Sequence, residues 1–254
     1  MKLLVSVRDQ KEAKIVCESG VVDLLDLKEP SRGSLGAVSQ KVAREIGEYV
    51  NQQRLDQNTT GTTPTPLPLP RLSLAFGELA DPGHQELFDS NTLRHFDYAK
   101  IGLSHCGSTP GWQDRWLEWA ERVAKFAAPV AVAYADPMQC QAPPIEQVAR
   151  LAIQANVPYF LIDTWQKDGH HLFDHLNVQQ LNDLVAPLRD RQIQIALAGT
   201  LTADERQSIL AVTPDVVAVR GAVCSRGDRE QSIDEKKISE FFNCFADNKR
   251  ASTC

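Results

Sequence analysis

A chain of 254 residues with 43% hydrophobic content can bury one large core or two smaller ones, and length alone does not choose between them. Its formal charge of −6 and pI near 5.5 argue against a general nucleic-acid or membrane-surface binder, while local basic pockets stay open. No run of about 18 apolar residues marks a membrane span.

The N-terminus, Met1 to Gln10, turns polar too soon for a signal peptide and reads as a strand that starts at once, which predicts a cytoplasmic protein. Apolar runs rich in Val, Ile and Leu then recur along the chain, at Lys2–Val7, Val21–Leu27, Arg71–Phe76, Tyr98–Leu103, Val130–Ala135, Tyr159–Asp163, Gln194–Ala198 and Val216–Arg220. Helical patterns lie between them, at 9–19, 38–53, 84–95, 112–127, 144–155, 177–190, 202–212 and 234–247. Eight strands, each followed by a helix, predict an α/β protein built as one (β/α)₈ TIM barrel over residues 1–247. A doubly wound open sheet is the alternative, but no G-x-G-x-x-G turn follows the first strand. Thr202 followed by Glu205 spells a capping box, and Asp174 to Asn177 offers another helix start. Trp112, Trp116 and Trp119 share one helical face, as expected of a helix packed on the barrel. The Thr- and Pro-rich stretch 56–70 reads as a surface insertion, and 248–254 as a frayed tail. Six cysteines without a C-x-x-C pair predict free thiols, and no His or Cys spacing suggests a metal.

Chemistry in such barrels collects at the C-terminal strand ends and the loops beyond them. Three lysines stand there, Lys28, Lys100 and Lys167, in company with Asp26, Asp136, Asp163 and Asp168. A strand-end lysine can simply snorkel at the rim. Three that converge would instead repel one another, freeing one amine for imine chemistry and leaving charged partners to hold phosphate. Alternation places Lys100 and Gly102 on one face, the barrel interior if Ile101 and Leu103 meet the helices. A second constellation is Gly199 and Thr200 after the seventh strand, with Arg220, Gly221 and Ala222 after the eighth. These are either tight turns or an anion cradle of backbone amides.

The stretch Asp26-Leu-Lys-Glu-Pro-Ser-Arg-Gly-Ser-Leu-Gly-Ala37 resembles the D-[IVL]-K-x-P-x-x-G-S-L-G-A motif of the (5-formylfuran-3-yl)methyl phosphate synthase family. Lys100–Leu103, Ala133–Asp136, Ile162–Gly169, Ala196–Gly199 and Val219–Cys224 resemble further blocks of that family in the same order, so the likeness spans nearly the whole chain. It implies a cofactor-free barrel that condenses two molecules of glyceraldehyde 3-phosphate through a Schiff base, losing phosphate and water, toward a methanofuran-type C1 carrier. It also implies the imine on Lys28, further site positions at Lys100, Asp163 and Lys167, Asp26 close by, and a homo-oligomer. Lys100 and Lys167 would lower the Lys28 pKa and steady the leaving phosphate. The phosphate that the product keeps would rest on Gly199, Thr200, Arg220, Gly221 and Ala222. An ordinary Schiff-base aldolase and a silent metabolite-binding barrel are the competing readings.

Overall fold

The computed structural model describes residues 1–59, 68–83 and 88–246. Eight parallel strands close into a barrel in sequence order: β1 (Lys2–Val7), β2 (Leu24–Leu27), β3 (Arg71–Glu78), β4 (Tyr98–Gly102), β5 (Ala128–Tyr134), β6 (Tyr159–Asp163), β7 (Gln194–Leu197) and β8 (Val216–Val219). Closure comes from β8 pairing with β1, Val216 opposite Lys2. The helices are α1 (Gln10–Ser19), α2 (Gln40–Thr59), α3 (Ser90–Leu93), α4 (Trp112–Val123), α5 (Ile145–Gln154), α6 (Leu172–His175), α7 (Val178–Arg189), α8 (Arg206–Val212) and α9 (Glu235–Ala246). The single-domain barrel expected from the alternating pattern is what forms. The tail 248–254 lies outside the described residues, as do 60–67 of the expected insertion and 84–87 of the expected third helix. Residues 56–59 of that insertion instead prolong α2, and among the described residues no helix is long and apolar enough to cross a membrane.

Strand alternation sorts the apolar residues into two cores. Outward residues such as Val5, Leu25, Leu74 and Ile162 meet the helices. Inward ones, among them Leu4, Leu24, Ala75, Val132 and Leu161, fill the barrel, joined by Leu35, which the β2 loop folds back over it. All three tryptophans on α4 are buried, Trp119 edge-on to Phe76 of β3.

Three aspartates set the register at the strand starts. Asp23, Asp97 and Asp215 each precede a strand, and each accepts the first free amide of the strand before it: Leu3 at 2.8 Å, Leu72 at 2.8 Å and Ile195 at 2.7 Å. A carboxylate on an otherwise orphaned amide satisfies a buried donor and fixes which residue pairs with which. This is why β2 begins at Leu24 and not at Val21: Asp23 is a strand-start bracket. At the opposite end β3 runs on to Glu78 through an irregularity in its pairing with β4, where Gly77 takes φ +78°.

Candidate active site

Asp26 is wholly buried on β2. Its Oδ2 accepts from Ser6 Oγ at 3.1 Å, and its Oδ1 lies 2.6 Å from Lys100 Nζ, a charge contact out of line for a linear hydrogen bond. Lys100, 3% exposed, does point inward from β4 as alternation requires. Across the barrel Asp163 ends β6. Its Oδ1 accepts from Lys167 Nζ at 2.8 Å and its Oδ2 from Ser34 Oγ at 2.9 Å. Lys167 spends its other protons on Thr164, on the carbonyl at 2.6 Å and on Oγ1 at 2.9 Å. Burial alone would push the Asp163 carboxyl up; the ammonium groups of Lys167 and Lys28 outweigh that and hold it below the ordinary carboxylate range.

Lys28 is different. Its amine is buried yet has no hydrogen bond or ion pair with any described residue. Its pKa falls from 10.5 to about 7. Desolvation is the chief cause; Asp163 and Asp26 oppose it, and Lys100 and Lys167 add to it less strongly. The expected mutual repulsion of lysines is therefore the minor part. The other two ammonium groups are each neutralised by their own carboxylate, which leaves burial to lower the third.

These residues do not all share one surface. A cavity of about 300 Å³ opens at the C-terminal strand ends, lined by Lys28, Asp163 and Lys167 on one side and by Gly199, Thr200, Gly221 and Ala222 on the other. Asp26 and Lys100 are not among the residues that line it; Lys100 instead borders a small void inside the barrel. Gly199 has φ +101°, and a Cβ there would come within 2.9 Å of Thr164 Cγ2, so this turn needs glycine. Thr200 follows it in the left-handed region at φ +53°.

Arg220 lines this cavity as well, but its guanidinium is engaged elsewhere. Its guanidinium donates to Glu12 at 2.8 and 3.1 Å, to the Ser6 carbonyl at 2.9 Å, to the Arg229 carbonyl at 2.6 Å and to the Gln231 carbonyl at 3.4 Å. With its donors spent on the protein, Arg220 is a brace that holds the β8 loop to β1 and α1. The guanidinium free to meet an anion is that of Arg229. It lines the same cavity and uses only Nη2 on the protein, toward the carbonyls of Pro30 at 3.2 Å and Gly33 at 2.9 Å. Burial lowers its pKa below the usual arginine value. Arg229 escaped the sequence reading because Ser225–Gln231 looks like a solvated polar turn, and Ser34 because nothing local announces a partner 129 residues away. Asp136 is occupied as well: its two oxygens accept the amides of Trp165 at 2.7 Å and Gln166 at 2.8 Å, fixing the loop that carries Lys167. Among the described residues no three His, Cys, Asp or Glu side chains converge as a metal site.

Solved structures with similar folds include phosphoribosylanthranilate isomerase from Thermotoga maritima, with a TM-score of 0.57 at 16% identity over 96% of this chain and 98% of that one. A 3-hexulose-6-phosphate synthase scores 0.53 at 14% identity over 97% and 100%. At such identities the likeness concerns the barrel alone. Sequence relatives are closer. The (5-formylfuran-3-yl)methyl phosphate synthase of Methanococcus maripaludis strain C5 is 30% identical over 94% of this chain and 96% of its own length. That of Methanobrevibacter smithii is 31% identical over 90% and 92%. The family model described as 4-HFC-P synthase matches residues 3–242. The chain thus belongs to the 4-HFC-P synthase family of enzymes.

Proposed function

We propose that the protein is a (5-formylfuran-3-yl)methyl phosphate synthase that joins two molecules of glyceraldehyde 3-phosphate through a Schiff base on Lys28. The observation that carries this reading is the state of that amine: buried, unpartnered and with a pKa of about 7, between two lysines already paired with carboxylates. An amine that is about half neutral near pH 7 adds to an aldehyde; loss of water gives an iminium that withdraws electrons from the neighbouring carbon. Asp163, 1% exposed and held ionised, accepts and returns protons beside it. Lys100 and Asp26 lie beneath the imine as a neutral ion pair. The amides after Gly199 and around Gly221 and Ala222, with Thr200 and Arg229, hold phosphate at the far wall.

The test is borohydride reduction in the presence of glyceraldehyde 3-phosphate, followed by digestion and mass analysis, alongside an assay for the furan chromophore. A triose-derived adduct on Lys28, abolished with turnover in a folded Lys28→Arg variant, is the expected result. An adduct on Lys100 or Lys167 would reassign the nucleophile. Triose cleavage or joining without a furan product would point to an aldolase instead.

A further inference from the structure

Glu78 occupies the C-terminal rim of the barrel by a costly route. Ser73 and Ala75 of β3 face inward, so strict alternation would send Gly77 in and Glu78 out toward the helices. The chain breaks that alternation. The pairing of β3 with β4 shifts between Ala75 and Glu78, and Gly77 adopts φ +78°. Irregularities of this kind re-aim a side chain. Here the carboxylate is turned across the top of β4, over Gly102, where a Cβ would overlap it. Two groups hold it: Tyr134 Oη donates to Oε1 at 2.6 Å and the Ser104 amide donates to Oε2 at 2.8 Å. Tyr134 is fully buried on β5 and pairs in register with Asp163, so Glu78, Tyr134 and Asp163 follow one another around the inner rim of the barrel, Asp163 lining the Lys28 cavity. A shifted strand pairing, a left-handed glycine and a missing Cβ all serve one carboxylate for which the scheme above has no use.

Resting on the Schiff-base reading, we propose that Glu78 is a further proton-transfer residue of the reaction, acting in a dehydration step, and that Tyr134 positions it. The carboxyl of Glu78 gives its proton to a hydroxyl oxygen of the Lys28-bound chain. The C–O bond breaks, its electron pair leaves with the water, and a C=C bond forms. The proton released by the iminium-activated carbon restores the carboxyl, so nothing is oxidised or reduced. Burial supports the role by raising the Glu78 pKa against the hydrogen bonds from Tyr134 and Ser104, which favours the protonated form needed to donate. Asp81 lies near Glu78 and raises it further, while Asp163 and Cys140 face Tyr134.

The experiment compares wild type, Glu78→Gln, Glu78→Ala and Tyr134→Phe with glyceraldehyde 3-phosphate, scoring the borohydride-trapped adduct on Lys28 and the furan chromophore separately. Glu78→Gln is expected to keep the adduct within about threefold of wild type while kcat for furan formation falls about 10²–10⁴-fold with KM little changed. Glu78→Ala should regain part of its rate with added formate, which a purely structural carboxylate would not show. Tyr134→Phe should lower kcat about tenfold, again sparing the adduct. Furan formation at the wild-type rate in Glu78→Gln overturns the proposal, as does loss of adduct in parallel with rate, or a rate loss in Glu78→Ala that formate leaves unchanged. No adduct in the wild type would instead overturn the Schiff-base reading itself.

Discussion

At the scale of single residues, the titration of Lys28 makes two predictions. Adduct formation on this lysine should rise with pH through a midpoint of about 7, where an ordinary lysine would rise near 10.5. Trapping rates measured from pH 5 to 9 would show it, and a profile still climbing steeply at pH 9 would contradict it. The same shift bears on stability. A lysine whose folded pKa is lowered binds its proton more tightly in the unfolded chain, so between about pH 7 and 10.5 stability increases with pH, and below pH 7 the full penalty stands. Lys28→Met should therefore abolish the adduct and raise Tm by roughly 2–4 °C at pH 6.5. The three lysines were legible in the sequence because a charge at the end of an apolar run is conspicuous. Which of them stays unpaired was not, since Lys100 meets Asp26 from another strand and Lys167 meets Asp163 only through the way the loop after β6 turns back. Glu78 was illegible altogether: the strand pattern stops at Phe76, and only the shifted pairing beyond it turns the side chain inward.

Among elements, the loops at the C-terminal rim are held by charged groups whose work is mechanical. The ion pair between Arg220 and Glu12 is 4% and 2% exposed and ties the β8 loop to α1. Removing one partner strands the other in the interior, at a cost of about 3–5 kcal/mol. Glu12→Gln should accordingly lower the denaturation midpoint sharply while leaving the phosphate dependence of KM in the surviving folded enzyme near wild type; a selective loss of phosphate affinity would restore Arg220 to the binding site. Asp136→Ala should release the amides of Trp165 and Gln166 and loosen the loop of Lys167, seen as a higher KM with the Lys28 adduct retained. The strand and helix order was readable from hydrophobic periodicity, the capping box at Thr202 formed as its spacing implied, and Asn177 caps the start of α7. Boundaries moved where a side chain competed with the pattern: Asp23 delays β2, and α2 continues to Thr59 through polar residues that carry no apolar signal.

For the whole molecule, the proposed chemistry sits at the C-terminal end of the barrel, and the N-terminal mouth serves stability alone. At the N-terminal mouth Tyr98 and Tyr159 meet edge to face at 5.0 Å, with Arg71 donating to the Tyr98 hydroxyl at 2.8 Å and Lys2 reaching Tyr159 at 3.4 Å. Tyr98→Phe should cost about 0.5–1.5 kcal/mol without changing kcat/KM. An altered rate with unaltered stability would break the division.

Arg229 brings the consequences together. By gripping the carbonyls of Pro30 and Gly33, it fastens the loop after β8 to the segment that follows Lys28. The cavity that Lys28 shares is walled by residues that follow β6, β7 and β8. On the Schiff-base reading the amine is thus an ordinary, protonated lysine in the open chain, indifferent to the aldehydes around it, and its nucleophilicity is a property of the closed barrel, gained only when the loop after β8 folds back over β2.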